Sequence, residues 1–352
     1  MSSPLVTIAI ATFQKEQHLR ATLDSALAQT HRNLDVLVVD NASTDATRTI
    51  AHKYAARDGR VRVVEHRRNL GSRRNFNLAF ELAHGDFFVW GRGHDLWHPE
   101  FVATGVDLLQ RDPELVLVHA TAREIDADDR DLGPVAEDLD TRGLPVPERL
   151  QACWRRLLGP ATLGLIRRAA MDRTNLYQEL AGCDLVFLLE LACHGTFAFV
   201  DRPLLQLRRV RSEGSEAESV ARTWRQMNPH RSRRESPDLH VLEFLAAHAR
   251  VLRDLDVAPA VRDELAGELV QCFAGKFAGS FARAFDHLAD RLDAASQRPD
   301  DPAQRLDAVT ALHWLDQLHL ALLCHPAHER GLAARNALLH LAVDLSTEPT
   351  AS

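Results

Sequence analysis

From Val6 to Ala120, short runs rich in β-branched residues alternate with stretches of helical period. That alternation commits the first third of the chain to βαβ units around a mostly parallel sheet. The spacing predicts strands over Val6–Thr12, Leu34–Asp40, Val61–His66, Phe87–Trp90 and Leu115–His119. Helices are expected between them, over Gln17–Ala28, Ala46–Ala56, Ser72–Ala83 and Glu100–Arg111. Ser43 or Thr44 is placed to cap the second helix, and Pro99 sits where proline suits a first helical turn.

Beyond this frame the composition turns acidic and irregular over Asp126–Pro147, which reads as a mobile loop. Helical spacing resumes at Leu150–Leu158, then come a short apolar run Ala161–Ile166, an apolar helix Asp184–His194 and an extended segment Phe197–Leu207 interrupted by Pro203. Residues 208–237 are polar and rich in Arg and Ser. Leu239–Leu255, Ala258–Leu292 with one break, and Ala303–Leu345 all keep helical spacing. The expected organisation is therefore an α/β domain over 1–210, a linker or lid over 211–237, a helical region over 238–345 and a frayed tail over 346–352.

Composition narrows the function classes. Of 352 residues, 49 are Asp or Glu and 42 Lys or Arg, a net charge of −7 that lacks the positive field duplex nucleic acid demands, so no nucleic-acid partner is expected. The five cysteines form no CxxC pair and no regular spacing, so neither a disulfide framework nor a zinc knuckle is implied. The start lacks a basic segment followed by a long apolar one, and no stretch reaches the ~18 apolar residues of a membrane span. A cytoplasmic protein without an integral membrane segment is the expectation.

In an open parallel sheet, ligands bind beyond the carboxyl ends of the strands. Four segments leave the strands there: Ala11–Gln14, Val39–Asp45, Asn69–Asn77 and Trp90–Pro99. Asp40 offers a carboxylate that can accept a ring N–H, or serve simply as a turn or capping residue. Gly71-Ser72-Arg73-Arg74 leads into a helix whose N–H groups and one guanidinium can face a diphosphate, adjacent arginines being unable to point the same way. Asn75 and Asn77, two apart, fall on different sides of that helix. His98 stands four residues after His94 but precedes the helix, which suits capping better than metal ligation.

These segments resemble the nucleotide-sugar-dependent glycosyltransferases of the GT-A fold, specifically the large inverting family 2. Thr7–Thr12, Ser25–Thr30 and Val38–Asp45 are similar to that family's opening strand, its helix ending in Gln-Thr and its nucleotide-binding aspartate turn. Asn69–Gly71, Asn75–Asn77 and Gly85–Trp90 resemble one of its subgroups. The resemblance implies a GT-A domain, a nucleoside diphosphate sugar as donor with UDP or dTDP as carrier, and Thr12 and Asp40 against the base. It fades near Ser215 and does not extend into the helical C-terminal third.

One segment departs from the family. Where it places an Asp-x-Asp for a divalent cation, this chain reads Arg92-Gly93-His94, followed by Asp95. Two readings stay open. His94 and Asp95 hold Mn²⁺, or less favourably Mg²⁺, in a weak or dispensable site, or Arg92 neutralises phosphate directly. For the general base of an inverting transfer, the resemblance points to Gly182-Cys183-Asp184, and Asp184 is also suited to cap the following helix. Glu190 can equally be exposed. Arg208, Arg209 and Arg211 either close over the phosphates, Arg209 being the candidate, or form a solvated linker. A degenerate nucleotide-binding protein and a nucleotidyltransferase are the alternatives to sugar transfer. The C-terminal helices are expected to serve acceptor binding or self-association. The acceptor, a secondary metabolite or a surface glycan in the simplest readings, is not specified by the sequence.

Overall fold

The structure, a computed structural model, describes residues 3–135, 138–156, 159–209 and 240–297. The chain divides into two compact units, Met1–Arg231 and Ser232–Ser352.

The first unit is built as the periodicity predicts. Strands β1 (Val6–Thr12), β2 (Leu34–Asp40), β3 (Val61–Glu65) and β4 (Phe87–Arg92) alternate with helices α1 (Leu19–Leu27), α2 (Thr47–Ala55) and α3 (Ser72–Glu81). A short β5 (Leu96–Trp97), α4 (Phe101–Arg111), β6 (Leu115–Ile125) and β7 (Asp131–Pro134) follow. Next come α5 (Val146–Arg156), a 3₁₀ turn (Pro160–Leu163), β8 (Leu165–Arg167), α6 (Arg168–Met171), α7 (Cys183–His194) and β9 (Thr196–Arg208). The sheet runs β3-β2-β1-β4-β8-β6-β9-β5, with β7 on β6. β3, β2, β1 and β4 pair in parallel, and β8 is antiparallel to both β4 and β6. β1 and β2 are enclosed by helices on both faces, which is why they read as near-continuous apolar runs and are almost wholly buried. α7 is buried on most of its surface, from Val186 to Ala192, which explains its almost unbroken apolar sequence.

Three expectations are revised. Asp126–Pro147 is not wholly a loop, since β7 pairs with β6 (Glu124 opposite Gly133) and α5 begins at Val146. The four-residue β7 is too short to show a period. Pro203 does not interrupt the last strand. It lies opposite Thr121 where the β6–β9 register shifts, a place where the ladder can spare an N–H. Neither Ser43 nor Thr44 caps α2. The Thr47 N–H goes to Asp45 Oδ1 at 3.0 Å, while Ser43 Oγ accepts the Gln14 N–H.

In the second unit, α8 (His240–Arg253) packs on α9 (Pro259–Gln297), with Phe244 and Phe273 ring centroids 5.2 Å apart. α9 contains the expected single break, where Phe277 leaves helical geometry at φ −120°, ψ 23°. The linker at 211–237, the helical pattern at 303–345 and the tail at 346–352 lie outside the described residues. Among the described residues no helix is long and apolar enough to cross a membrane.

Candidate active site

β1 and β2 end level, with Thr12 opposite Asp40, and β4 ends beside them, with Arg92 opposite Ala11. Their carboxyl ends therefore form one rim. Asp40 anchors it: Oδ1 accepts the Thr12 hydroxyl at 3.3 Å, and Oδ2 accepts the Ser43 N–H at 2.9 Å and Arg48 Nε at 2.8 Å. Arg48, which sequence reasoning missed, also reaches the His66 carbonyl at 3.0 Å. Asp40 is 0 % exposed and Thr12 1 %, so a base contact through either requires the loop after β1 to shift. What the rim does present is Phe13, 42 % exposed although large and apolar. The signal for Phe13 was available in sequence, as an aromatic side chain directly after a parallel strand.

The Asn69-Leu70-Gly71 turn is pinned to β2. Asn41 Nδ2 donates to Asn69 Oδ1 at 2.9 Å, and the Leu70 N–H donates to Asn41 Oδ1 at 2.8 Å. Gly71 takes φ 84° before α3, a conformation that L side chains avoid. Of the two arginines that follow, Arg74 is exposed and Arg73 is partly buried. Arg73 Nε is buried without a hydrogen-bond partner, and its terminal nitrogen lies 3.6 Å from Glu179. Asn75 turns toward Val39 and Asn77 toward Tyr177, on different sides of α3 as their spacing requires.

The segment after β4 forms a tight turn. Its backbone passes so close to β1 that a Cβ on Gly93 would stand 2.9 Å from Thr12 Cγ2 and 3.1 Å from Lys15 Cγ. Arg92 closes on Asp95 with Nε–Oδ2 2.5 Å and a terminal nitrogen–Oδ1 3.0 Å, and Asp95, 2 % exposed, also accepts the Arg208 N–H at 3.0 Å. Arg208 is buried and donates to the His94 and Asp126 carbonyls and to Asp129, which straps the end of β9 over this turn. Arg209 points away, exposed and paired with Glu124 at 2.9 Å. Lys15 is partly buried beside these groups, and its ammonium makes no ion pair or hydrogen bond among the described residues. Burial, and next the Arg92 charge, lower its pKa. His94 is pushed down to about 2 by burial and then by Arg92, Lys15, His18 and Arg208, so its imidazole is neutral.

This donor set does not fit a divalent cation. Asp95 is committed to a guanidinium and a backbone N–H, and among the described residues no three His, Cys, Asp or Glu side chains converge. His94 Nδ1, buried without a partner, is a single neutral nitrogen among cationic neighbours, and the carboxylate that would join it on Mn²⁺ or Mg²⁺ is turned onto Arg92. His98 does not cap α4 through its side chain: its Nδ1 accepts the Glu100 N–H at 3.3 Å, one residue ahead of the helix.

Asp184 opens α7, and its carboxylate takes N–H bonds from that first turn, yet burial outweighs them and raises its pKa. Gly159 faces it, since a Cβ there would lie 2.8 Å from Asp184 Oδ2. Tyr177 connects the two halves of the site. Its ring stacks on Trp90 of β4 at 4.5 Å, and its hydroxyl feels the charges of both Asp184 and Arg92. The loop carrying Tyr177 is held by Glu190, which is buried rather than exposed and accepts bonds from the Asn175 N–H, Asn175 Nδ2 and Gln178 Nε2 at 2.7–2.8 Å. The Cys183 thiol is raised to about 12 by burial and then by Asp184, which leaves it inert.

Residues 7–171 match the glycosyl transferase family 2 profile. An uncharacterised glycosyltransferase of Rickettsia typhi is 32 % identical over 125 residues, 35 % of this chain and 38 % of the relative. One of Rickettsia prowazekii is 31 % identical over 137 residues, 39 % of this chain and 42 % of the relative. The chain thus spans about two fifths of the length of these relatives. The fold is shared with S. aureus TarS 1–349, solved in complex with UDP-GlcNAc, at TM-score 0.62 and 17 % identity over 97 % of this chain and 88 % of that one. It is also shared with the Pyrobaculum calidifontis mannosyltransferase PcManGT, solved with GDP-Man and Mn²⁺, at TM-score 0.53 and 18 % identity over 99 % and 88 % of the two chains.

Proposed function

We propose that the N-terminal unit, whose residues 7–171 match the glycosyl transferase family 2 profile, transfers a sugar from a nucleoside diphosphate donor to an acceptor hydroxyl with inversion. The observation that carries this reading is the placement of Lys15, whose ammonium makes no ion pair among the described residues, at the same rim as Arg92, with Asp184 beyond Tyr177. Lys15 and Arg92 repel each other across the rim, as the lowering of the Lys15 pKa by burial and next by Arg92 reflects, and a bound diphosphate offsets that repulsion.

The donor's pyrimidine base, of a UDP or dTDP sugar, stacks on Phe13. Asp40 orders the loop beneath it through Arg48 and Ser43. The diphosphate lies along Lys15, Arg92 and the start of α3, where Arg73 has a spare donor. The sugar then projects toward Asp184. As the acceptor oxygen bonds to the anomeric carbon, its proton passes to Asp184. The bond from that carbon to the phosphate oxygen breaks on the opposite face, and the diphosphate leaves with the electron pair. Fixed positive groups meet that developing charge without reorganising, which is the largest contribution such a site makes.

Burial serves the base as well, because a raised pKa makes Asp184 a stronger proton acceptor once ionised. The direct test is donor turnover with UDP- and dTDP-sugars: release of nucleoside diphosphate, abolished by Asp184→Asn, supports the reading. Release of pyrophosphate instead selects nucleotidyl transfer, and binding without turnover selects a degenerate binding protein.

A further inference from the structure

The turn after β4 has a cation where a metal-binding site needs an anion. Arg92 closes the turn on Asp95 through two hydrogen bonds, and a third bond to Asp95 comes from the Arg208 backbone. The carboxylate is therefore neutralised and fully directed inward. Lys15 packs against the same turn, since a Cβ on Gly93 would stand 3.1 Å from its Cγ, and its ammonium makes no ion pair among the described residues, Asp95 and Asp45 acting on it only by charge. The side chain of His94, nine-tenths buried in this turn, keeps Nδ1 without a hydrogen bond. The turn thus has one positive charge in surplus and one unsatisfied nitrogen.

A dication placed here would meet Lys15 and Arg92 at close range and gain no free carboxylate. Like charges at close range repel, and a divalent ion feels that repulsion twice as strongly as a monovalent one. A diphosphate meets the opposite situation. It finds an ammonium and a guanidinium. From this arrangement we infer that the donor diphosphate is bound and released without a divalent cation, Lys15 and Arg92 supplying the charge that a metal supplies elsewhere. Binding draws the outer edge of the Arg92 guanidinium to phosphate oxygens while its inner edge stays on Asp95. The inference rests on the donor-binding reading above and specifies how that site meets the charge of its ligand.

Titration calorimetry with UDP as the probe separates the two. The protein is stripped with EDTA and titrated without metal, then with Mn²⁺ and with Mg²⁺. The inference expects the Kd to change by less than threefold among the three conditions. Tightening by tenfold or more on adding either metal, or binding seen only with metal, overturns it and leaves donor binding intact. No binding of UDP, dTDP or GDP under any condition overturns both. Arg92→Gln risks freeing the buried Asp95, so Lys15→Met provides the cleaner variant. It is expected to raise or preserve the melting temperature of the free protein, since an unpaired charge is removed, and to weaken UDP binding at least tenfold in EDTA. Unchanged affinity in Lys15→Met contradicts the inference.

Discussion

Asp184 carries the sharpest consequences at the level of single residues. Asp184→Asn keeps the fold and the donor site, so turnover is expected to fall by about 10²–10⁴ while UDP affinity changes by less than threefold. Because burial raises its pKa, the acidic limb of kcat/KM is expected above the ordinary carboxylate value of about 3.9, activity rising as pH climbs through the raised value. A limb at or below that value argues for a different base. Gly159→Ala places a Cβ 2.8 Å from Asp184 Oδ2, so kcat should drop at least tenfold with the melting temperature nearly unchanged. Steady-state kinetics beside a thermal melt reads both. At this scale the sequence was informative about residue type and poor about partners. Asp40 and Thr12 do meet, but Arg48, eight positions on, takes up the carboxylate, and no local pattern announces that pairing. Arg208 and Arg209 are indistinguishable in sequence, yet strand alternation buries one under the turn and leaves the other on Glu124.

The loop before α7 is where elements and catalysis meet. Glu190, almost two turns into that helix, satisfies donors on Asn175 and Gln178 and so holds Tyr177 against Trp90. Glu190→Ala leaves those buried donors unpaired, at about 1–3 kcal/mol each before relaxation, and the loop should loosen. The expected outcome is a lower urea midpoint together with a reduced kcat, and UDP affinity largely retained; hydrogen exchange should accelerate over 172–182. Loss of UDP affinity with kcat preserved would contradict this placement. Strand and helix positions in the first half were readable because parallel strands buried on both faces, and helices with one apolar stripe, write their period into the sequence. β7 and the 3₁₀ turn are too short for a period to register, and the continuity of β9 through Pro203 depends on an irregular register that only its partner β6 reveals.

For the whole molecule, the two units respond to pH through different groups. In the helical unit His248 is wholly enclosed between Phe244 and Phe273, its Nδ1–H donating to the Phe244 carbonyl at 2.8 Å, and burial lowers its pKa to about 4. The unfolded chain protonates this ring near pH 6.5 and the folded one only near 4, so stability is lost as pH falls between those values, by roughly 3 kcal/mol in all. Urea unfolding of the full chain between pH 4 and 7 should show this slope, and His248→Phe should flatten it. The division into an α/β part and a helical part was legible in the sequence because the apolar period changes from mixed to purely helical. The chemistry was legible only up to the turn after β4, where His94 and Asp95 read equally as ligands or as bystanders until Arg92 was seen to occupy the carboxylate. The central claim is that a nucleoside diphosphate lies across the ends of β1 and β4 with its terminal phosphate facing Asp184. A crystal structure with UDP bound tests it most directly: the account predicts the base on Phe13 and phosphate oxygens within hydrogen-bond distance of Lys15 and Arg92. Phosphates held by a metal on Asp95, or a nucleotide bound away from this rim, would contradict it.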